Sequence, residues 1–211
     1  IQIAGYDIEW MSFAAKVIEA EGGSIIDINM GCPAKKIIGK LAGSALMKQP
    51  DHAIKIIESV VKSTKLPVTL KMRLGWDEQQ LNAANLAKRA EDSGVQMITI
   101  HARTRNQFYR GVANWELVKE VKDSVSIPII INGDIINGAS AKEAILLSNA
   151  DGVMIGRGAI GKPWALGEIT NTLHNDDGFI VAKELKLGDL VNLHLVKILE
   201  FYGCQQSVKI F

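Results

Sequence analysis

The segment Ser24-Ile25-Ile26-Asp27-Ile28-Asn29-Met30-Gly31-Cys32-Pro33-Ala34-Lys35-Lys36 decides how the rest of the chain is read. Ile26, Ile28 and Met30 alternate with Asp27 and Asn29, the period-two pattern of a strand. Asp and Asn are costly to bury alone, so the second face of this strand must meet polar partners. Cys32 follows just past the strand end, held between Gly31 and Pro33, with Lys35 and Lys36 close behind. A free cysteine is most often a small buried apolar side chain. Next to positive charge it is also where an acid or a nucleophile can be placed.

Outward from this strand, the same unit recurs. Ile1 to Ala4 reads as the end of a strand, and Asp7 caps a helix running to about Glu21, stopped by Gly22 and Gly23. Pro50-Asp51 opens a helix with Ile54, Ile57 and Val61 at helical spacing. Strands are expected over Val68 to Arg73, Met97 to Arg103, Ile127 to Asp134 and Val153 to Arg157. Between them, Asp77 is expected to cap a helix closed by Gly94, Asn114 one reaching about Lys122, and Ala139 to Leu147 forms a third; Pro163 opens another. Six strand-then-helix units in unbroken alternation imply parallel strands with helical crossovers.

Two closures fit that alternation, an open doubly wound sheet and an eight-stranded barrel. Parity favours the barrel. Thr69, Lys71 and Arg73 share one face against Val68, Leu70 and Met72; Thr99, His101 and Arg103 oppose Ile98 and Ile100; Asn132 and Asp134 oppose Ile129 and Ile131. In the sixth strand Val153, Ile155 and Arg157 share a face that is polar only at its end. An open sheet covered on both sides reads apolar on both faces. A barrel has a polar mouth at its carboxyl-terminal rim. The expected fold is therefore α/β, an incomplete TIM (β/α)8 barrel with six of eight units, and the two missing units are expected to precede Ile1. From about Glu184 the pattern becomes one amphipathic helix carrying Leu187, Val191, Leu195 and Ile198. That divides the chain into a barrel domain over 1–175 and the start of a helical domain over 176–211, with His174 to Gly178 as linker. The chain begins without Met in what reads as a strand end and stops mid-pattern, as a fragment would.

With 211 residues and a formal net charge of +1, the chain lacks the strong basicity of a general nucleic-acid binder, so any RNA contact must be local. Its two cysteines, Cys32 and Cys204, lie too far apart for a disulfide framework or a metal spacing, which makes the reducing cytoplasm the default location and no metal the expectation. No apolar run approaches membrane-span length, so no membrane partner is expected.

The polar residues at the strand ends are Gln2, Asn29, Cys32, Lys71, Arg73, His101, Arg103, Asn132, Asp134 and Arg157. Each has a plain alternative: a solvated strand end, a structural histidine, a simple turn. Together, at the same end of successive strands, they fit one cavity. Asn132-Gly133-Asp134 and Gly156-Arg157-Gly158 follow the last two strands, where barrels commonly hold phosphate. Glycines let backbone N–H groups approach phosphate oxygens, and Arg157 adds a charge-assisted bond. Lys71 near an electron-accepting ring would stabilise developing negative charge. Such a site suits flavin mononucleotide, FMN.

Asn29-Met30-Gly31-Cys32-Pro33, Lys71-Met72-Arg73-Leu74-Gly75, His101-Ala102-Arg103-Thr104-Arg105, Asn132-Gly133-Asp134-Ile135 and Gly156-Arg157-Gly158 resemble, in order and spacing, the bacterial tRNA-dihydrouridine synthases. Ala34-Lys35-Lys36 with Leu41 to Leu46 resembles the B-type subfamily. The resemblance implies an FMN barrel that reduces a uridine of tRNA with NADPH, the flavin giving hydride to C6 and Cys32 supplying the proton to C5. By matching position Gln2 and Lys71 would bind the flavin ring, His101 would lie near the cofactor, and Asn132, Gly133, Asp134, Gly156 and Arg157 would hold the ribityl phosphate end. Asn29 would lie by the extruded base, since base chemistry on folded RNA needs the nucleotide flipped into a pocket. Lys35, Lys36, Lys40, Arg103 and Arg105 would meet RNA phosphates. The resemblance favours a D-loop uridine.

Three departures stand out. The family's amino-terminal Pro-Met-Ala flavin motif is absent, Ile37-Ile38-Gly39 stands where polar or basic residues are usual, and the helical tRNA-binding domain breaks off after Tyr202-Gly203. A barrel open at an edge is expected to hold FMN poorly and, as an isolated piece, to be inactive. Alternative readings are an FMN barrel acting on a free pyrimidine, like a dihydroorotate dehydrogenase, a non-redox phosphosugar isomerase or lyase in which Lys71 and Asp134 do acid-base work, and a non-catalytic RNA-binding remnant.

Overall fold

A computed structural model describes residues 1–174 and 187–210. Its centre is a six-stranded parallel sheet in the order β1 to β6: β1 Gln2–Ile3, β2 Ile26–Met30, β3 Val68–Arg73, β4 Met97–His101, β5 Ile129–Asn132 and β6 Gly152–Met154. Each strand pairs in parallel with the next, for example Asn29 with Lys71 and His101 with Asn132. A doubly wound sheet starts in the middle and reverses, so its strand order is not sequential. A sequential order with right-handed crossovers puts every helix on one side and curls the sheet towards a barrel. The chain has that barrel architecture, with the sheet open at β1 and β6.

The helices are α1 Ile8–Ala20, α2 Lys35–Ile38, α3 Pro50–Ser63, α4 Ala83–Asp92, α5 Glu116–Asp123, α6 Gly138–Ser148, α7 Ala165–His174 and α8 Leu187–Ile210. From α1 through α3 to α7 each packs against the next, forming the outer layer. Their starts follow from local chemistry. Asp7 accepts from Trp10 N, Pro50 stands at the first turn of α3, and Asn137 with Ser140 forms a capping box for α6. The core lies between sheet and helices: Ile26, Ile28, Met30, Leu70, Met72, Ile98, Ile100, Ile129 and Ile131 are fully buried. Burying such a side chain contributes roughly 1.5–3 kcal/mol. The opposite parity set, Asp27, Asn29, Lys71, Thr99, His101 and Asn132, faces the lumen, as the alternation requires.

Several expectations are corrected. Asp77 does not cap a helix: its Oδ1 accepts from Gln79 N (3.0 Å) and Gln80 N (3.1 Å), closing a turn before α4 starts at Ala83. That turn brings Gln80 O so close that a Cβ on Gly75 would overlap it, so only glycine fits there. In the sixth unit Val153 pairs with Ile131 and so sits on the helix side, while Met154 faces the lumen beside Asn132. Arg157 reaches the cavity from a 3-10 turn, Arg157–Ala159, rather than by strand parity. The helix expected from Glu184 begins at Leu187 among the described residues, and it is broken at Gly203 (φ 71°, ψ 165°). Leu187 and Val191 are exposed and Ile198 is buried, so its expected apolar stripe is only partly covered. The linker expectation, apart from His174 at the end of α7, falls at 175–178, outside the described residues.

Candidate active site

The carboxyl ends of the six strands open on one cavity of about 630 Å³. Gln2, Asn29, Cys32, Lys71, His101, Asn132, Gly133, Asp134, Gly156 and Arg157 all line it. Every residue expected at the catalytic and flavin positions is thus brought to one place. Lys35, Lys36, Arg103 and Arg105 are not in its lining.

The Cys32 loop is held from three directions. Asn29 Oδ1 accepts from the backbone N–H groups of Gly31 (3.2 Å) and Cys32 (3.0 Å). Cys32 O accepts from Ser44 N (3.0 Å) and Ser44 Oγ (2.9 Å). Gly31 O accepts from Arg73 Nε at 2.8 Å. Ser44 belongs to the buried 3-10 segment Gly43–Lys48, which neither apolar period nor caps had marked. Gly43 adopts φ +60°, and a Cβ there would lie 2.8 Å from Cys32 O. The thiol loop is therefore fixed less by Gly31 and Pro33 than by Asn29, Ser44 and Arg73. Cys32 itself is half-buried, a free thiol at the cavity edge.

The lumen is electropositive. Burial, then Arg73, pushes the Lys71 ammonium down to about 8, with Asp27 acting the other way. Its Nζ donates to Asn132 Oδ1 at 3.3 Å, and Asn132 Nδ2 donates to Met154 O at 2.8 Å. His101 is 7% exposed; burial, then Arg73, Lys71 and Arg103, pushes its imidazole down to about 3, so it is neutral at physiological pH. Asp27 accepts from Gln2 Nε2 (2.6 Å) and Thr69 Oγ1 (2.7 Å), and Gln2 Oε1 accepts from Asn29 Nδ2 (2.7 Å).

The far end is shaped by two turns. Gly133 (φ +122°) and Asp134 (φ +56°) both adopt left-handed backbone, and a Cβ on Gly133 would lie 3.0 Å from His101 and Ala113. Asp134 is pinned there: Oδ2 accepts from Arg103 Nη2 (2.6 Å) and Ala113 N (2.8 Å). Burial raises its carboxyl, but those bonds and the Arg157 charge outweigh it and hold the group below the usual carboxylate value. Gly156 has open space where a side chain would be, and Arg157 is 57% exposed over the cavity. Arg157 lies 4.7 Å from the Tyr109 ring, which is 6.1 Å from His101. Tyr109 is a cavity residue the sequence reading missed, because it lies in a loop with no period to mark it.

Arg103 is the clearest departure from expectation. It is 1% exposed, its guanidinium spent on Arg110 O, Gly111 O and Asp134, so it cannot reach an RNA phosphate. Arg73 is equally buried and bonds Gly31 O, Thr104 O and Phe108 O. Lys35 and Lys36 are exposed on α2, and Arg105 lies half-buried on the rim. Among the described residues no cluster of three or more His, Cys, Asp or Glu is arranged to hold a metal ion, and no helix is long and apolar enough to cross a membrane.

Comparison with known proteins bears on the fold and on the family. Solved structures of a dipeptide epimerase from Enterococcus faecalis V583 (TM-score 0.60, 12% identity, covering 83% of this chain and 43% of that one) and a putative phosphonomutase from Burkholderia cenocepacia J2315 (TM-score 0.54, 16% identity, 69% and 65%) share the fold alone. At the sequence level, a probable tRNA-dihydrouridine synthase from Rhodobacter capsulatus is 51% identical over 210 residues, 100% of this chain and 65% of that protein. One from Rickettsia conorii is 50% identical over 210 residues, 100% of this chain and 63% of its own length. The tRNA-dihydrouridine synthase B of Pasteurella multocida is 43% identical over 213 residues, again all of this chain and 63% of the relative. The chain thus spans just under two thirds of these relatives. The family description "Dihydrouridine synthase (Dus)" matches residues 1–211 throughout, and the chain belongs to the dihydrouridine synthase family.

Proposed function

We propose that this chain is the flavin-binding catalytic part of an enzyme that reduces a uridine in tRNA to 5,6-dihydrouridine, with NADPH as reductant. The observation that carries the reading is the single cavity that gathers Cys32, Lys71, His101 and Arg157 from four strand ends in a chain matched by the family from end to end. The residues fit FMN. The cavity volume of about 630 Å³ lies in the range of cofactor sites. Open space at Gly156 and left-handed backbone at Gly133 leave backbone room for a phosphate, with Arg157 beside it.

When bound and reduced, a flavin supplies the hydride that adds to C6 of the uracil. Cys32 delivers the proton to C5. Lys71 and Gln2 orient the ring, and neutral His101 lines the wall beside it. Asn132, Gly133, Gly156 and Arg157 hold the ribityl phosphate end. Asp134 contributes through the turn it fixes, its carboxylate being engaged by Arg103 and Ala113. Asn29 meets the extruded base. Lys35, Lys36 and Arg105 meet RNA, while Arg103 serves the fold. Residues 1–175 form the FMN domain and 176–211 begin a helical tRNA-binding domain, in a cytoplasmic enzyme of the B type. The family match supports neither the free-pyrimidine nor the phosphosugar alternative.

The test uses the full-length protein. Cys32→Ala should abolish dihydrouridine formation while flavin absorbance and tRNA binding persist. Unchanged dihydrouridine formation would remove Cys32 from the mechanism. A colourless protein that FMN does not reconstitute would remove the flavin.

A further inference from the structure

Outside the cavity, three consecutive rim loops converge on Trp76. Lys48 Nζ lies 4.8 Å from the centre of its ring and Arg105 Cζ lies 4.6 Å from it. Arg105 is also 4.9 Å from the Phe108 ring, so its guanidinium is held against two aromatic side chains. The backbones lock this geometry: Arg105 N donates to Gly75 O and Asn106 N to Trp76 O, both at 2.9 Å.

The indole attracts both cations through its ring quadrupole but neutralises neither, so both charges remain available to an anion. Neither has a carboxylate partner among the described residues, and unlike the unpaired helix lysines Lys16, Lys55 and Lys142 they share one aromatic ring. The adjacent Asp77 points its Oδ1 at its own turn. Arg105 Nη1 donates to Asn106 Oδ1, and its buried Nε has no partner among the described residues. The result is a guanidinium already held in place, so little side-chain entropy remains to be lost on meeting an anion.

Position supplies the partner. The 3-10 segment that ends at Lys48 begins at Gly43, next to the Ser44 that clamps Cys32 O. At a rise of about 2.0 Å per residue the segment spans roughly 10 Å. We infer that Lys48, Trp76 and Arg105 form a phosphodiester-binding platform that grips the RNA strand flanking the nucleotide entering the cavity. This rests on the RNA reading above and adds Lys48 and Trp76, with their mode of action, to it. A phosphodiester suits both parts: Lys48 as a compact charge and Arg105 as a flat fork.

The experiment titrates tRNA against the full-length protein at several salt concentrations, with flavin absorbance and the rate at saturating tRNA measured in parallel. Lys48→Ala should weaken binding severalfold and reduce the salt slope by about one. Trp76→Leu should weaken it about tenfold, the scale of lost cation–aromatic contacts, and Trp76→Phe should restore most of the loss. Flavin content and saturated rate should not change. Unaltered affinity and salt slope in folded Lys48→Ala and Trp76→Leu proteins would overturn the platform. So would inorganic phosphate binding that the variants abolish while tRNA affinity stays intact. Wild-type protein that binds tRNA through the platform yet forms no dihydrouridine would overturn the reaction alone; wild-type protein that binds no tRNA would overturn both.

Discussion

Arg73 Nε donates to the main-chain carbonyl of Gly31 at 2.8 Å, tying β3 to the loop that presents Cys32. Its Nη1 donates to Thr104 O and Phe108 O, both at 2.9 Å, so one buried side chain joins the thiol loop to the loop carrying Tyr109. Burial, offset by Tyr109, pushes the guanidinium down to about 10, which leaves it charged at neutral pH. The charge is met by carbonyl dipoles, and these need the fork geometry of arginine.

Arg73→Ala would leave three carbonyls facing a void. At roughly 1–3 kcal/mol for each buried group left unpaired, the loss is expected to be about 3 kcal/mol or more. Urea unfolding checks it. Arg73→Lys keeps the charge but cannot span both loops, so it should fold while Cys32 alkylates faster. An Arg73→Ala protein as stable as wild type would show that the clamp contributes nothing.

Gly43 and Gly111 make a matched pair. Both have positive φ, +60° and +64°, but a Cβ on Gly43 would meet Cys32 O at 2.8 Å, whereas Gly111 faces open space. Gly111→Ala should cost about 1 kcal/mol, the left-handed backbone penalty alone. Gly43→Ala adds a clash with backbone that cannot swing aside, so about 2 kcal/mol or more is expected. It should also displace Cys32. Equal losses in thermal unfolding would mean that the loop yields freely.

These residues mark how far the sequence could be read. The strand over Val68–Arg73 and the lumen set of Asn29, Lys71, His101 and Asn132 were legible, because period-two alternation assigns a face to every residue in a strand. Arg73 was legible as a lumen-side polar group but not as an internal tie, and Arg103, expected at the lumen and at RNA, is such a tie and lies outside the cavity lining. Burial of a guanidinium depends on carbonyls brought from distant loops, and no local spacing records that. Tyr109, Trp76 and the Ser44 clamp were missed for the same reason: each lies in a loop or 3-10 segment, where function has no period.

Acid should destabilise the fold through His101. Its folded value is about 3 against an ordinary 6.5, so between these the unfolded chain binds more protons. Stability is then full above about pH 6.5 and is lost as pH falls towards 3, on the order of 2 kcal/mol by pH 5. Asp134, held low in the fold, adds to the loss only as pH falls through the usual carboxylate range. Lys71 acts at the other end: depressed to about 8 from 10.5, it makes stability rise with pH across that interval. Unfolding free energies against pH check both limbs. His101→Gln should flatten the slope between pH 5 and 6.5, and an unchanged slope would assign it to another group.

The direction of the lumen network is set at Asp27. A carboxylate only accepts, so Gln2 must turn its Nε2 to Asp27 Oδ2 (2.6 Å) and its Oε1 to Asn29 Nδ2 (2.7 Å). Asn29 Oδ1 is thereby left to accept from Cys32 N at 3.0 Å. Asp27→Leu removes the acceptor that orients this chain, and Gln2 can then turn over. The variant should fold, since both Gln2 bonds are exposed, but it also strands the buried Thr69 hydroxyl, so a loss of roughly 1–3 kcal/mol is expected. Its dihydrouridine formation should fall at least tenfold in the full-length protein, and Cys32 alkylation should speed up. Asp27→Asn can still offer Gln2 an oxygen if Thr69, now donating to Asp27 Oδ1 at 2.7 Å, reverses its hydroxyl to accept. It should therefore keep most of the rate. Should Asp27→Asn prove as damaging as Asp27→Leu, the negative charge near Lys71 matters and the bond direction does not. Should both variants run at the wild-type rate, the chain from Asp27 to Cys32 has no hold on the thiol loop.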